Sequence, residues 1–140
     1  MKICMTGAAG IVGKAVRPYL AKAFEEVVLM THRTPCEDLA PNERVVKGDI
    51  QDRAYVDSVL TDVDGVIHLA GLVGPDFTFE QVLGPNVVGT YNLFESALAH
   101  NHKQFIYASS HHAIGFLPRG FYDEKAPIRA DSWYGVSKAW

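Results

Sequence analysis

The sequence predicts an α/β domain, a doubly wound parallel sheet with strand order 3-2-1-4-5. Two observations carry this. Short apolar runs of strand length alternate with stretches of helical periodicity along all 140 residues, which implies βαβ units with right-handed crossovers. The first apolar run also ends in a glycine-spaced turn that opens the first helical stretch.

Residues 2–6 are apolar, stop at Gly7 and read as a buried first strand. Over residues 11–24, Val12, Ala15, Val16, Leu20 and Ala23 fall at helical spacing, with Pro18 inside as a candidate kink. Residues 26–30 form the second buried strand, and residues 31–42, with two prolines, read as loop. Val45 and Val46 mark a short third strand that ends at Gly48-Asp49. Asp52 is an N-cap candidate for a short helix carrying Val56, Val59 and Leu60. Residues 65–69 are the fourth strand, and a Gly/Pro-rich loop is expected over residues 71–84. A helix follows from residue 86 to about residue 100, with Val87, Tyr91, Phe94 and Leu98 on one face. Residues 105–108 are the fifth strand, residues 109–131 a long loop, and residues 131–140 the opening of another helix.

The bulk numbers bound the function. The chain suits one domain, residues 1–140. Its 48% hydrophobic and 21% charged residues are those of an ordinary globular protein and exclude a disordered one. A formal charge of −3 favours neither nucleic acid nor an anionic membrane as partner. No apolar run approaches the roughly 18 residues a membrane span needs. Met1-Lys2-Ile3-Cys4 enters the first strand without a secretory pattern, so the cytoplasm is the expected compartment. Cys4 and Cys36, the only cysteines, make neither a disulfide framework nor a zinc site. No histidine pair has a metal-ligand context; His100 and His102 read as solvated residues at a helix end.

Thr6-Gly7-Ala8-Ala9-Gly10-Ile11-Val12-Gly13 spaces its glycines as Gly-x-x-Gly-x-x-Gly, one residue wider than the Rossmann pattern. Gly7 permits the tight turn, Gly10 admits a pyrophosphate close to the backbone, and Gly13 lets the helix pack on the sheet. Free N–H groups around Ala9, Gly10, Ile11 and Val12 would then face the anion. The plain alternative is a glycine turn with no ligand. Asp49, with Ile50 after it, stands at the third strand's tip, where a carboxylate can accept from an adenine amino group. The second-strand tip reads Thr31-His32-Arg33. An acid there would bind a ribose 2′-hydroxyl; none is present, and the Arg33 guanidinium suits a 2′-phosphate, which tilts the reading to NADP over NAD.

Tyr134 and Lys138, four apart on a helix, share one face. A nearby ammonium favours phenolate and suits the tyrosine to general-base work. Ser109-Ser110 follow the fifth strand at the sheet's ligand-binding edge, where a hydroxyl can hold a reacting oxygen or cap a loop.

The glycine turn, the serines and Tyr-x-x-x-Lys, in this order on these elements, resemble the extended short-chain dehydrogenases/reductases, the NAD-dependent epimerase/dehydratase family, over essentially all the chain. His68-Leu69-Ala70-Gly71 looks like the family's fourth-strand motif along the cofactor, with His68 a strand residue rather than a base. Asn86-Val87-Val88-Gly89-Thr90-Tyr91-Asn92 looks like its Asn-x-x-Gly-Thr-x-Asn helix, whose first asparagine orders the active-site region. The resemblance implies catalytic Ser110, Tyr134 and Lys138, with NADP or NAD as cofactor. Ala108-Ser109-Ser110-His111-His112-Ala113-Ile114-Gly115 is similar to a segment of the uronate dehydrogenases, which oxidise C1 of a free hexuronic acid. That similarity puts His112 near the sugar-acid carboxylate. Here His111 stands for asparagine and Val73 for a substrate-holding serine. A small sugar-type substrate, or in the rival reading an epimerase or dehydratase reaction on a sugar nucleotide, is implied; so is a homo-oligomer. Members are usually about twice this long, so the resemblance implies a chain lacking the last strands and the substrate subdomain. Such a chain is expected to bind cofactor with little turnover, with Tyr134 and Lys138 on a fraying terminal turn.

Overall fold

The computed structural model describes residues 1–139. Its most apolar runs take the middle of the sheet. β1 (Lys2–Thr6) and β2 (Glu26–Thr31) are buried from their second residue on and pair in parallel, Cys4 opposite Val28. β4 (Gly65–His68) pairs on the other side of β1. The more polar β3 (Glu43–Lys47) and β5 (Gln104–Tyr107) form the two edges, giving the order β3-β2-β1-β4-β5.

Alternation along the strands feeds two cores, one on each face. Ile3, Met5, Val27 and Leu29 pack with Leu20 of α1 (Ile11–Ala23). Cys4, Val28, Met30 and Val66 pack with Val56 and Leu60 of α2 (Arg53–Leu60) and with Leu93 and Ala97 of a later helix. Asp52 caps α2, its carboxylate accepting from Tyr55 N at 3.1 Å. Pro18 stays within α1 without ending it. Arg17 of α1 is clipped to Glu43 at 2.6 Å and donates to the carbonyls of Glu37 and Asp38, fastening the loop between β2 and β3. Both cysteines are free; burial pushes the Cys4 thiol up to about 12.

Two expectations change. The glycine- and proline-rich stretch is not loop to its end: helix starts at α3 (Phe79–Val82), widens through a π turn (Leu83–Val88) and continues as α4 (Gly89–Ala99). Thr78 and Gln81 form a reciprocal capping box at its start. Gly84 and Gly89 are not breakers here. A Cβ on Gly84 would stand 2.1 Å from Gln51 Oε1, and one on Gly89 2.5 Å from Ile50, so both glycines serve close packing. Pro85, which has no N–H to donate one turn back, lies in the widened turn. His102, in turn, is not solvated: its Nε2 bonds to Leu60 O at 2.9 Å, closing the end of α2. His100 is exposed as expected.

The long loop after β5 carries a short 3₁₀ turn (His111–Ile114) and leads into α5 (Trp133–Ser137). The expectation that helical structure runs on to Trp140 lies partly outside the described residues. No helix among the described residues is long and apolar enough to cross a membrane.

A Cβ on Gly13 would stand 2.3 Å from Gly7 O and 2.7 Å from Ala8 Cα. Gly13→Ala is therefore expected to lower stability by about 1–3 kcal/mol, the usual cost of overfilling a packed site. Equilibrium urea denaturation measures it; an unchanged midpoint would show that α1 can lift off the turn freely.

Candidate active site

The candidate residues gather at the carboxyl edge of the sheet. The turn after β1 depends on Gly7, which has φ +73° and whose Cβ would stand 2.7 Å from both Ala70 N and Leu69 C. The turn thus lies directly against the residues that leave β4. Gly10 N donates to Gly7 O at 3.0 Å, and Gly10 precedes α1 with no side-chain cap and no acid in the first turn. The first N–H groups of α1 are left for a ligand, beside Ile11 and Val12, exposed at 92% and 58%. This donor set, with no Cβ on its approach and no carboxylate to repel an anion, fits a dinucleotide's pyrophosphate.

At the neighbouring tips His32 and Arg33 are exposed, and no acid stands among residues 32–36 that leave β2. His32 Nε2 lies 3.8 Å from Asp49 Oδ2. The Asp49 carboxylate also accepts from Gln51 N at 2.9 Å and from Gln51 Nε2 at 3.2 and 3.1 Å. Ile50 packs against Gly89, and its carbonyl accepts from Asn92 Nδ2 at 3.0 Å.

Asn86, buried in the π turn, binds the loop beyond β4. Its Oδ1 accepts from Leu72 N at 2.7 Å; its Nδ2 donates to Leu72 O and to Ser137 Oγ, both at 3.0 Å. Gly71, at φ +149°, leaves room for that side chain, since a Cβ there would stand 2.9 Å from Asn86 Oδ1. Val73, just past the clamp, is 72% exposed.

Ser132 caps α5, its Oγ accepting from Gly135 N at 3.0 Å. Tyr134 and Lys138 are both buried. The terminal turn that carries them, expected to fray, is tied down from three sides. Ser109 Oγ donates to Lys138 O at 2.6 Å, Tyr107 Oη to Ser137 O at 3.2 Å, and Asn86 holds the Ser137 hydroxyl. The Lys138 ammonium sits 4.5 Å from the centre of the Tyr107 ring. Burial lowers its pKa to about 8.

Ser110 serves locally as a cap, accepting from His112 N at 3.3 Å. Its hydroxyl proton stays available for another oxygen. His112 stands edge-on to Tyr134 with ring centres 5.5 Å apart, and the more exposed His111 lies 4.2 Å from His112. Asp131, which the sequence reading did not single out, straddles His112 Nδ1 with both oxygens at 2.9 Å. That hydrogen bond is the main cause holding its carboxyl below the usual range. Asp131 also accepts from Ser132 Oγ at 2.9 Å, so the histidine turn and the start of α5 are joined. The signal was local: a carboxylate beside a helix-capping serine. Among the described residues no three histidine, cysteine or acidic side chains gather as a metal site would require.

A parallel 3-2-1-4-5 sheet with a glycine turn after its first strand and a buried Tyr-x-x-x-Lys helix after its fifth defines a Rossmann-type domain built for this edge. The chain belongs to the NAD dependent epimerase/dehydratase family, which matches residues 3–140. It is similar to uronate dehydrogenase of Pseudomonas putida, 40% identical over 141 residues, covering 99% of this chain and 52% of that protein. Uronate dehydrogenase of Agrobacterium fabrum is 36% identical over 138 residues, 98% of this chain and 51% of that one. A crystal structure of a mutant uronate dehydrogenase from Agrobacterium tumefaciens complexed with NAD matches with TM-score 0.89 and 37% identity, over 98% of this chain and 51% of that one. The chain spans about half the length of these relatives.

Lys138 gives a pH prediction. Its folded pKa of about 8 lies below the roughly 10.4 of a free lysine, so between these values the unfolded chain holds a proton the folded chain has lost. Relative to Lys138→Met, the unaltered chain should therefore gain stability as pH rises through that window, whatever the raised Cys4 thiol takes from both proteins. Urea denaturation of both proteins at several pH values reads the difference; a difference that does not change with pH would sink the assignment to Lys138.

Proposed function

We propose that this chain carries the NAD(P)-binding half and the reacting groups of a dehydrogenase acting on a sugar-type alcohol or hemiacetal, with a free hexuronic acid the favoured substrate. One observation carries the reading: the glycine cradle and the α5 turn that buries Tyr134 and Lys138 occupy the same edge of one sheet. The uronate dehydrogenases among the relatives and the Ser110-His111-His112 turn beside Tyr134 support the choice of substrate. Tyr134 takes the proton of the substrate hydroxyl, the buried Lys138 supplies the positive charge at that end of the site, and Ser110 donates to the reacting oxygen. The nicotinamide, when bound, supplies the hydride acceptor. His112, oriented by Asp131, faces the sugar-acid carboxylate, with His111 and Val73 at the margin of that site.

In the whole protein, Tyr134→Phe should lower turnover of a hexuronic acid by about 10²–10⁴. Net formation of reduced nicotinamide, followed by its absorbance, separates a dehydrogenase from an epimerase or dehydratase that recycles its cofactor. A Tyr134→Phe protein as active as the unaltered one would leave a non-catalytic nucleotide-binding role.

At the β2 tip the exposed Arg33, with no acid among residues 32–36, favours NADP. Calorimetric titration should show tighter binding of NADP⁺ than of NAD⁺. Arg33→Ala should weaken NADP⁺ by about tenfold or more, the worth of one charged hydrogen bond, and leave NAD⁺ unchanged. Equal affinities in the unaltered chain would sink the role given to Arg33. Self-association is part of the same reading, since among the described residues β5 pairs only with β4 and its Ile106 is 54% exposed.

A further inference from the structure

We propose that His68 is a positioning residue: a neutral imidazole protonated on Nε2, it is the middle link of a one-directional hydrogen-bond chain from the glycine turn to the helix that bears Tyr134. His68 is wholly buried at the end of β4. Its Nδ1 lies 2.7 Å from Thr6 Oγ1, at the last residue of β1, and its Nε2 lies 2.9 Å from Thr90 Oγ1 on α4. Beyond these, Ala70 N donates to Thr6 Oγ1 at 3.1 Å, and Thr90 Oγ1 donates to Asn86 O.

Proton counting fixes the direction. Each threonine has one hydroxyl proton. Thr90 gives its proton to Asn86 O, so it can only accept from His68, and Nε2 must carry the hydrogen. Nδ1 is then an acceptor, and Thr6 gives it the one proton it has while accepting from Ala70 N–H. The opposite tautomer would leave the Asn86 carbonyl without the Thr90 proton and the Thr6 hydroxyl proton without an acceptor, both in the dry interior.

The rest of the ring is closed in. Phe105 stands edge-on at 6.5 Å between ring centres, and Tyr107 lies tilted at 5.5 Å. The titratable groups facing it are Tyr107 from β5 and Lys138, the residue that ends α5. Burial, reinforced by the Lys138 charge, holds the imidazole at a pKa of about 3.

Both ends of the chain reach the candidate active site. Ala70 abuts Gly7, in the turn to which cofactor binding is assigned above. Asn86 passes the connection through its own side chain to Ser137 Oγ, which donates to Tyr134 O at 2.8 Å. The hydrogen-bond direction is independent of the substrate proposed above; its bearing on catalysis rests on the role given to Tyr134.

Nitrogen NMR of the histidine rings tests it in the chain alone, without cofactor. His68 should show a protonated Nε2 and an unprotonated Nδ1, unchanged from about pH 5 to pH 8, where an ordinary histidine titrates. Thr90→Val keeps the branched shape and removes the acceptor. It should shift the amide signals of Gly7 at one end and of Tyr134 and Ser137 at the other, and Thr90→Ser should restore both. A protonated Nδ1, a ring that titrates in that range, or Thr90→Val shifts confined to α4 would overturn the proposal. If Thr90→Val does not fold, the tautomer in the unaltered chain decides. Loss of NADP⁺ and NAD⁺ binding with the expected tautomer intact would count against the proposed function and leave this chain of bonds standing.

Discussion

A buried polar group must find a partner, and Asn86 is where that requirement shapes the rest of the structure. Its amide is shut inside the π turn and held by three hydrogen bonds, both ways with the Leu72 backbone and once with Ser137. Three segments far apart in sequence meet on one side chain: the strand exit after β4, the long helix, and the short helix with Tyr134. Pro85, immediately before it, denies the helix a regular bond, and the widened turn re-aims the next side chain inward. The local defect in the helix and the order of the site are one arrangement.

Around that anchor the sheet edge is assembled from contacts of different character. The glycine turn is set by sterics: backbone meets backbone so closely at Gly7 and Gly13 that no side chain fits. Electrostatics acts at α5, where Lys138 is buried beside aromatic carbon and holds its proton less tightly than a free lysine. Ordinary helix capping does a second duty at Ser110 and Ser132, which start the 3₁₀ turn and α5 and bring His112 and Asp131 to the side of Tyr134. None of these groups sits in the site for one reason alone.

Much of this was legible in the sequence. Strand order, the glycine turn, the Asp52 cap and the Tyr134–Lys138 pair all follow from period, spacing and local chemistry, which act over a few residues. What escaped depends on partners remote in the chain. Gly84 and Pro85 look like breakers unless it is known that Gln51 needs the space and that Thr78 and Gln81 have already started the helix. His102 looks solvated until α2 ends beside it and presents the Leu60 carbonyl to its ring. Asp131 looks like an ordinary turn acid until His112 arrives from another turn of the same loop. The tethering of the last turn by Ser109, Tyr107 and Asn86 is likewise invisible to a reading of residues near Tyr134.

The bare start of α1 has a thermodynamic consequence. Ile11 and Val12 stand in water beside the unfilled N–H groups, so the patch that attracts an anion is also hydrated hydrocarbon. A ligand seated there covers both at once. Its association should therefore lower the heat capacity even though its charge dominates the contact, and its enthalpy should become more favourable on warming. A mostly polar recognition event would then carry the calorimetric mark of apolar burial.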